Sequence, residues 1–261
     1  MTSAFGADEV RPGEIVLEHA SRSFSIRADR GRTVKELLIG RSRSTGPPPV
    51  EALREVSLRI EPGETVGVVG RNGAGKSSTL RVLAGIVPLH SGRVAVGGQI
   101  VTQLELGAGF SRDFSGRENI FLNGALHGLS RAQIESRLDA IIEFSELGDF
   151  VEAPVATYST GMFLRLGFAI AAHLDADVLL IDELLAVGDE AFQRKCEARM
   201  AEQIGAGATL VLVSHDPLLI ERTCERVIVL DGGEKVFDGS VSEGMPFYHR
   251  LMGTEDAVAS P

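Results

Sequence analysis

Eight residues, Gly70-Arg71-Asn72-Gly73-Ala74-Gly75-Lys76-Ser77, constrain this chain more than any other stretch. They fit the pattern G-x-x-x-x-G-K-[ST]. In such a loop the backbone N–H groups converge on phosphate oxygens, and the following helix adds partial positive charge from its N-terminus. The loop works only between a buried strand and a helix. Both are predicted here: Thr65 to Val69 is a short apolar strand, and a helix runs from about Lys76 into Leu83. Gly70, Asn72, Gly73, Ala74 and Gly75 then form the cradle, with Gly73 and Gly75 leaving room for close backbone approach. Lys76 is expected to reach the β- and γ-phosphates of a nucleotide, and Ser77 to ligate Mg²⁺. Ser78 and Thr79 are placed to add hydroxyl contacts.

The pattern around the loop extends it into a sheet. Val178 to Ile181 and Thr209 to Val213 are near-continuous apolar strands. Strands of this kind, alternating with helices, predict a parallel sheet covered on both faces. Val227 to Leu230 and Lys235 to Phe237 read as a closing hairpin around Asp231-Gly232-Gly233. Upstream, Glu14 to Ile26 and Ala52 to Ile60 are strand-patterned, the second ending in the turn Glu61-Pro62-Gly63-Glu64. Arg27 to Pro49 interrupts them with a helix-like piece, Val34 to Ile39, and Pro47, Pro48 and Pro49; it reads as an inserted excursion. A helical insert follows the cradle region. Gly116 to Leu126 is one expected helix. Ser130 opens another with Gln133 as its capping-box partner, and Ile134, Leu138, Ile141 and Ile142 fall on one face. The insert ends at Pro154, and Gly253 to Pro261 reads as a frayed tail.

Chemistry is expected where strands end. Asp182 and Glu183 close an apolar strand. Beside the cradle, Asp182 is the candidate Mg²⁺ holder, directly or through water, and Glu183 the candidate general base for an attacking water. Taken alone they are two ordinary acids in a post-strand turn. His215 follows the strand Thr209 to Val213, at the edge where ligands of α/β sheets gather. Ser214-His215-Asp216 is not a hydrolase triad, because triad partners meet in space from separate segments. Contact of His215 with the γ-phosphate and the water is one reading; a satisfied core histidine is the other. Ser159 lies just ahead of the apolar segment Phe163 to Ala172, and with the N–H groups at that helix start it suits an anion whose origin the residues leave open.

Composition removes several classes. The net charge is −10, which disfavours nucleic acid as a partner. The two cysteines, Cys196 and Cys224, lie far apart without a CxxC or a histidine cluster, so neither a zinc site nor a disulfide framework is suggested. Met1 to Val10 holds two acids and no apolar core, unlike a secretory signal. No run approaches the ~20 apolar residues of a membrane span, so any work at a membrane is expected to go through a partner.

Cradle, Tyr158-Ser159-Thr160-Gly161-Met162, acid pair and histidine, in that order from about Glu14 to Leu251, resemble the nucleotide-binding subunit of an ABC transporter. The resemblance implies an α/β P-loop NTPase fold. It has a RecA-like parallel-sheet core, an antiparallel β subdomain and an inserted helical subdomain. The implied division of a single domain is about 14–110 for the antiparallel and cradle part, about 111–161 for the helical subdomain, about 162–240 for the rest of the core and 241–261 for a C-terminal helix and tail. Ser159 and Gly161 match the family signature, which closes on ATP held by the cradle of a second copy. Lys76 and Ser159 of two subunits would thus sandwich ATP in a homodimer. Asp189 falls at the family's D-loop aspartate. The family's Q-loop glutamine has no clear match: Gln103 stands early, and Glu105 or Leu106 falls nearer the expected place. Phe24 is the candidate for stacking on adenine, although it reads equally as a core phenylalanine on a strand.

Within the family, Tyr158, Thr160 and Met162 are similar to the subgroup exporting lipid-linked polysaccharides such as O-antigen, teichoic acid and cell-wall galactan. So are Leu104 to Phe110, Ser115 to Ile120, Asp182 to Asp189 and Val34 to Leu38. The resemblance implies an ATPase at the cytoplasmic face of the membrane, touching it only through a separate transmembrane permease. Phe110, Phe114 and Phe121 are candidate contacts for the permease or packing residues of the insert. The C-terminal carbohydrate-binding domain of some members is not expected in this sequence. The competing readings are the ATPase of another ABC transporter, and a soluble ABC ATPase acting on ribosomes or DNA.

Overall fold

The computed structural model describes residues 10–24, 49–102, 104, 106–182 and 189–253. The strands are β1 (Ile15–Phe24), β2 (Val50–Ile60), β3 (Thr65–Gly70), β4 (Ser91–Val96), β5 (Ile100–Thr102), β6 (Val178–Asp182), β7 (Thr209–Val213), β8 (Arg226–Asp231) and β9 (Glu234–Ser240). The helices are α1 (Lys76–Leu83), α2 (Gly116–Leu126), α3 (Arg131–Ser145), α4 (Thr160–Ala172), α5 (Glu190–Gly205), α6 (Pro217–Thr223) and α7 (Val241–Met252), with 3-10 turns at Gly148–Glu152 and Val155–Thr157.

Six strands form one sheet in the order β5-β6-β7-β3-β8-β9. It is parallel except for β9, which returns antiparallel beside β8 as the expected hairpin. Every residue of β3 and β7 is buried, as strands covered on both faces must be. On one face Val66, Val68, Val211 and Ile228 pack with Leu80 and Leu83 of α1 and with Ile15, Leu17, Leu53 and Val56 of a second, three-stranded antiparallel sheet, β2-β1-β4. On the other face Leu179, Leu210, Leu212 and Val229 pack against Met200, Ile220, Met245 and Tyr248 of α5, α6 and α7. β4 and β5 are absent from the sequence expectation. β4 is a sheet-edge strand whose first three residues are exposed, and β5 has only three residues, so neither carries a legible apolar run.

The helical layer has its own core of Ile120, Ile134, Ile141, Phe144, Leu147 and Val151. Both α2 and α3 start with complete capping boxes, Ser115–Glu118 and Ser130–Gln133. The expectation ends this layer near residue 161, but its core runs on through Leu166 to Ala172 of α4 and takes in Phe192 and Cys196 of α5. Apolar side chains are close-spaced in α4, so it serves the helical layer while leading into β6. Phe110 and Phe121 pack against this core, whereas Phe114 is 44% exposed. Cys196 and Cys224 are buried, and burial pushes both thiols up to about 12. Among the described residues no helix is long and apolar enough to cross a membrane. The expected excursion at 27–48 and the tail beyond 253 lie outside the described residues.

Candidate nucleotide site

β3 enters the middle of the parallel sheet, between β7 and β8, and the glycine loop opens at its C-terminal end. Long-range backbone bonds hold the loop in shape. The Gly233 N–H, from the β8–β9 turn, donates to the Ala74 carbonyl at 3.1 Å, and the Arg54 N–H of β2 donates to the Gly233 carbonyl at 2.8 Å. The loop requires glycine on two grounds, steric and conformational. Gly75 has φ +107°, and a Cβ there would stand 2.3 Å from the Ala52 carbonyl oxygen. Gly73 has φ +81°, with open space where a side chain would go, so there the demand is conformational.

Lys76 is only 6% exposed. Its ammonium donates to the carbonyls of Gly70 at 2.8 Å and Arg71 at 3.0 Å, which lays the charge along the loop. Thr79 Oγ donates to the Gly75 carbonyl at 3.0 Å, so this hydroxyl secures the first helical turn.

A cleft of ≈ 630 Å³ opens over the loop. Asn72, Gly73, Gly75, Lys76, Ser77 and Ser78 line it from the loop side, and Asp182 and His215 from the ends of β6 and β7. Asp182 pairs in register with Val213, two residues before His215, which explains how segments distant in sequence meet here. Gly70 and Ala74 are buried beneath the loop surface. Phe24, at the end of β1 and paired with Val50 of β2, also lines the cleft. Ser214 Oγ accepts the Asp216 N–H at 3.0 Å, and Asp216 caps α6 by accepting the Leu218 N–H at 2.9 Å. The Ser-His-Asp step is therefore a strand-to-helix turn that leaves His215 exposed at the cleft.

Val50, Ala52, Arg81, Leu104 and Val213 also line the cleft and are missing as site residues from the sequence reading. Arg81 could have been found, since it lies one helical turn beyond Ser77 on the same face of α1. The others come from strands and a loop, and carry no motif.

Ser159 and Gly161 do not line this cleft. They are exposed at the N-terminus of α4, where Ser159 Oγ accepts the Met162 N–H at 3.2 Å as the N-cap. Their neighbour Tyr158 gains a structural role: its hydroxyl donates to the Phe150 carbonyl at 2.8 Å and crowds Gly116, where a Cβ would be 2.3 Å away. Asp189 caps α5 by accepting the Phe192 N–H at 3.0 Å and meets Arg165 of α4 at 3.0 Å. The backbone bond first, and then the guanidinium, hold its carboxyl below the usual carboxylate range. Glu183, Gln103 and Glu105 lie outside the described residues.

The donor set suits a magnesium-bound nucleotide. The loop offers backbone N–H groups and a buried ammonium for phosphate, while the Ser77 hydroxyl and the Asp182 carboxylate put hard oxygen donors, of the kind Mg²⁺ takes, in the same cleft.

The sequence pattern of the ABC transporter family matches residues 53–186. The O-antigen export system ATP-binding protein of Myxococcus xanthus is 44% identical over 252 residues, covering 94% of this chain and 58% of that protein. A Klebsiella pneumoniae protein of the same description is 41% identical over 77% of this chain and 82% of its own length. The teichoic acids export ATP-binding protein of Lactococcus lactis is 41% identical over 92% of this chain and 51% of its own. The chain thus spans little more than half of the Myxococcus and Lactococcus relatives. Among solved structures, the ATP-binding subunit of an ABC transporter superposes with a TM-score of 0.70 at 23% identity, covering 93% of this chain and 95% of that one. A dimeric ATP-binding cassette in a post-hydrolysis state, bound to ADP and phosphate, superposes with a TM-score of 0.68 at 19% identity, covering 87% and 98%. These two likenesses concern the fold; the family assignment rests on the sequence matches. This chain belongs to the ABC transporter family.

Proposed function

We propose that the chain is the ATP-hydrolysing subunit of an exporter that moves a lipid-linked polysaccharide across the cytoplasmic membrane. One observation carries the mechanism. The cleft gathers Lys76, Ser77, Asp182 and His215, while Ser159 and Gly161 stand exposed elsewhere on the same chain. A second copy supplies them. Gly73, Gly75 and Lys76 of one subunit hold the phosphates of ATP, and Ser159 with the α4 N-terminus of the other closes over them. Ser77 and Asp182 hold Mg²⁺, which when bound neutralises charge on the phosphates. Glu183 takes the proton of the attacking water, and His215 contacts that water and the γ-phosphate.

Closure carries the helical layers of both subunits with it. The exposed ring of Phe114 on that layer is the contact we assign to the permease; Phe110 and Phe121 are committed to packing. The subunit works at the cytoplasmic face and reaches the membrane through the permease. The polysaccharide cargo follows from the O-antigen and teichoic acid relatives.

The test uses Glu183→Gln, which keeps ATP binding and lowers turnover by ~10²–10⁴. With saturating MgATP this variant is expected to be dimeric by light scattering; a monomeric mass there refutes the shared site. Pull-down from membranes is expected to recover a polytopic membrane protein and no nucleic acid, and depletion to leave a glycan intermediate inside the cell.

A further inference from the structure

The base end of the cleft holds an arrangement that the catalytic scheme does not use. Phe24 lines the cleft, while Arg22, two residues earlier on the same face of β1, does not. The Arg22 guanidinium carbon lies 4.8 Å from the centroid of the Phe24 ring. Arg22 is itself tied down: Nη1 donates to the Pro88 carbonyl at 3.0 Å, in the loop after α1, and lies 3.4 Å from His90 Nε2. Between the two, the Ser23 N–H donates to His90 Nδ1 at 3.1 Å, so the end of β1 is fastened to the same loop. Among the described residues the buried Nε of Arg22 has no hydrogen-bond partner. The aromatic ring, the Pro88 carbonyl and His90 are what orient the guanidinium.

We infer that Arg22 is a positioning residue for purine recognition, backing the ring of Phe24 so that its other face is presented to the base in the cleft. This rests on reading the cleft as an ATP site. Two effects follow. A ring held before binding gives up less rotamer freedom when the ligand arrives. A cation on one face also draws the π-electrons toward itself, which favours stacking of an electron-rich purine on the other.

The experiment measures binding of MgATP and of inorganic tripolyphosphate, which has no base, by calorimetry. The proteins are wild type, Arg22→Ala, Phe24→Ala and the double variant. A cation–π contact at a partly exposed site corresponds to about a two- to fivefold change in affinity. Arg22→Ala is therefore expected to weaken ATP by that factor and leave tripolyphosphate unchanged. In the Phe24→Ala background, removing Arg22 is expected to change nothing further. Wild-type ATP affinity in Arg22→Ala overturns this inference alone. So does an equal loss for ATP and tripolyphosphate, which marks a general disturbance of the fold, or a full additive loss in the double variant. Failure of the wild-type protein to bind ATP overturns the nucleotide reading and this inference with it.

Discussion

Replacing Ser159 by aspartate separates two roles that one residue carries. Within its own chain Ser159 is the N-cap of α4, accepting the Met162 N–H at 3.2 Å. Aspartate caps a helix about as well as serine, so the folded subunit should keep its melting temperature. Ser159 is exposed and does not line its own cleft, so MgATP affinity of the isolated subunit should also stay unchanged. Across the proposed dimer the new carboxylate faces a phosphate chain. Two unit charges ~4 Å apart repel by about 4 kcal/mol at an effective dielectric constant of about 20. With about 1.4 kcal/mol per tenfold, closure of each site weakens by roughly three orders of magnitude. Ser159→Ala is the control: it loses the cap, ~1 kcal/mol, and adds no charge. In the Glu183→Gln background with saturating MgATP, light scattering should find Ser159→Asp monomeric at concentrations where its parent is dimeric. Dimerisation equal to the parent's would refute the reasoning. So would a tenfold loss of ATP affinity in the isolated subunit, which would place Ser159 in its own chain's cleft.

Lys76→Ala removes the buried ammonium that lies along the loop, and calorimetry should show weaker ATP binding; unchanged affinity removes the cradle from the mechanism. Gly75→Ala forces a Cβ to 2.3 Å from the Ala52 carbonyl in a left-handed backbone. The conformation alone costs ~1–2 kcal/mol, so thermal melting should fall by at least ~2–4 °C; an unshifted melt contradicts the loop geometry. The last expectation concerns pH. Burial pulls the Asp238 carboxyl up, but hydrogen bonds from Arg226 at 2.7 and 3.1 Å and Lys235 at 2.7 Å outweigh it and hold it below the ordinary range. A depressed carboxylate contributes stability that is present above its unfolded pKa, about 3.9, and lost as pH falls through the folded value. Asp238→Asn should therefore be less stable than wild type near neutrality, and urea unfolding should show the gap narrowing below about pH 4. A gap independent of pH would exclude this cluster as its source.

The elements most legible in the sequence are those specified within a few residues. The capping box at Ser130 closes over three positions, and the strand, glycine loop and helix around Lys76 are contiguous. α1 and α2 accordingly begin and end where the residue pattern places them. Features set by distant segments were not legible. Nothing local in Gly233 or Arg54 announces that they hold the phosphate loop, and nothing in Val50 or Leu104 announces the cleft. Tyr158 has no chemistry readable from its neighbours; its hydroxyl finds its partner, the Phe150 carbonyl, only once the helical layer folds.

The family, the phosphate-binding loop and the order of the chemical groups along the chain were legible without coordinates, because each is written in contiguous residues. How these groups come to line one cleft depends on pairing between segments far apart in the chain. Register in the parallel sheet brings Asp182 beside Val213 and so beside His215. Pairing of β1 with β2 sets Phe24 and Val50 at the cleft's edge, with Arg22 behind the ring. The same folding leaves Ser159 exposed and away from the cleft, because α4 is anchored in the core of the helical layer.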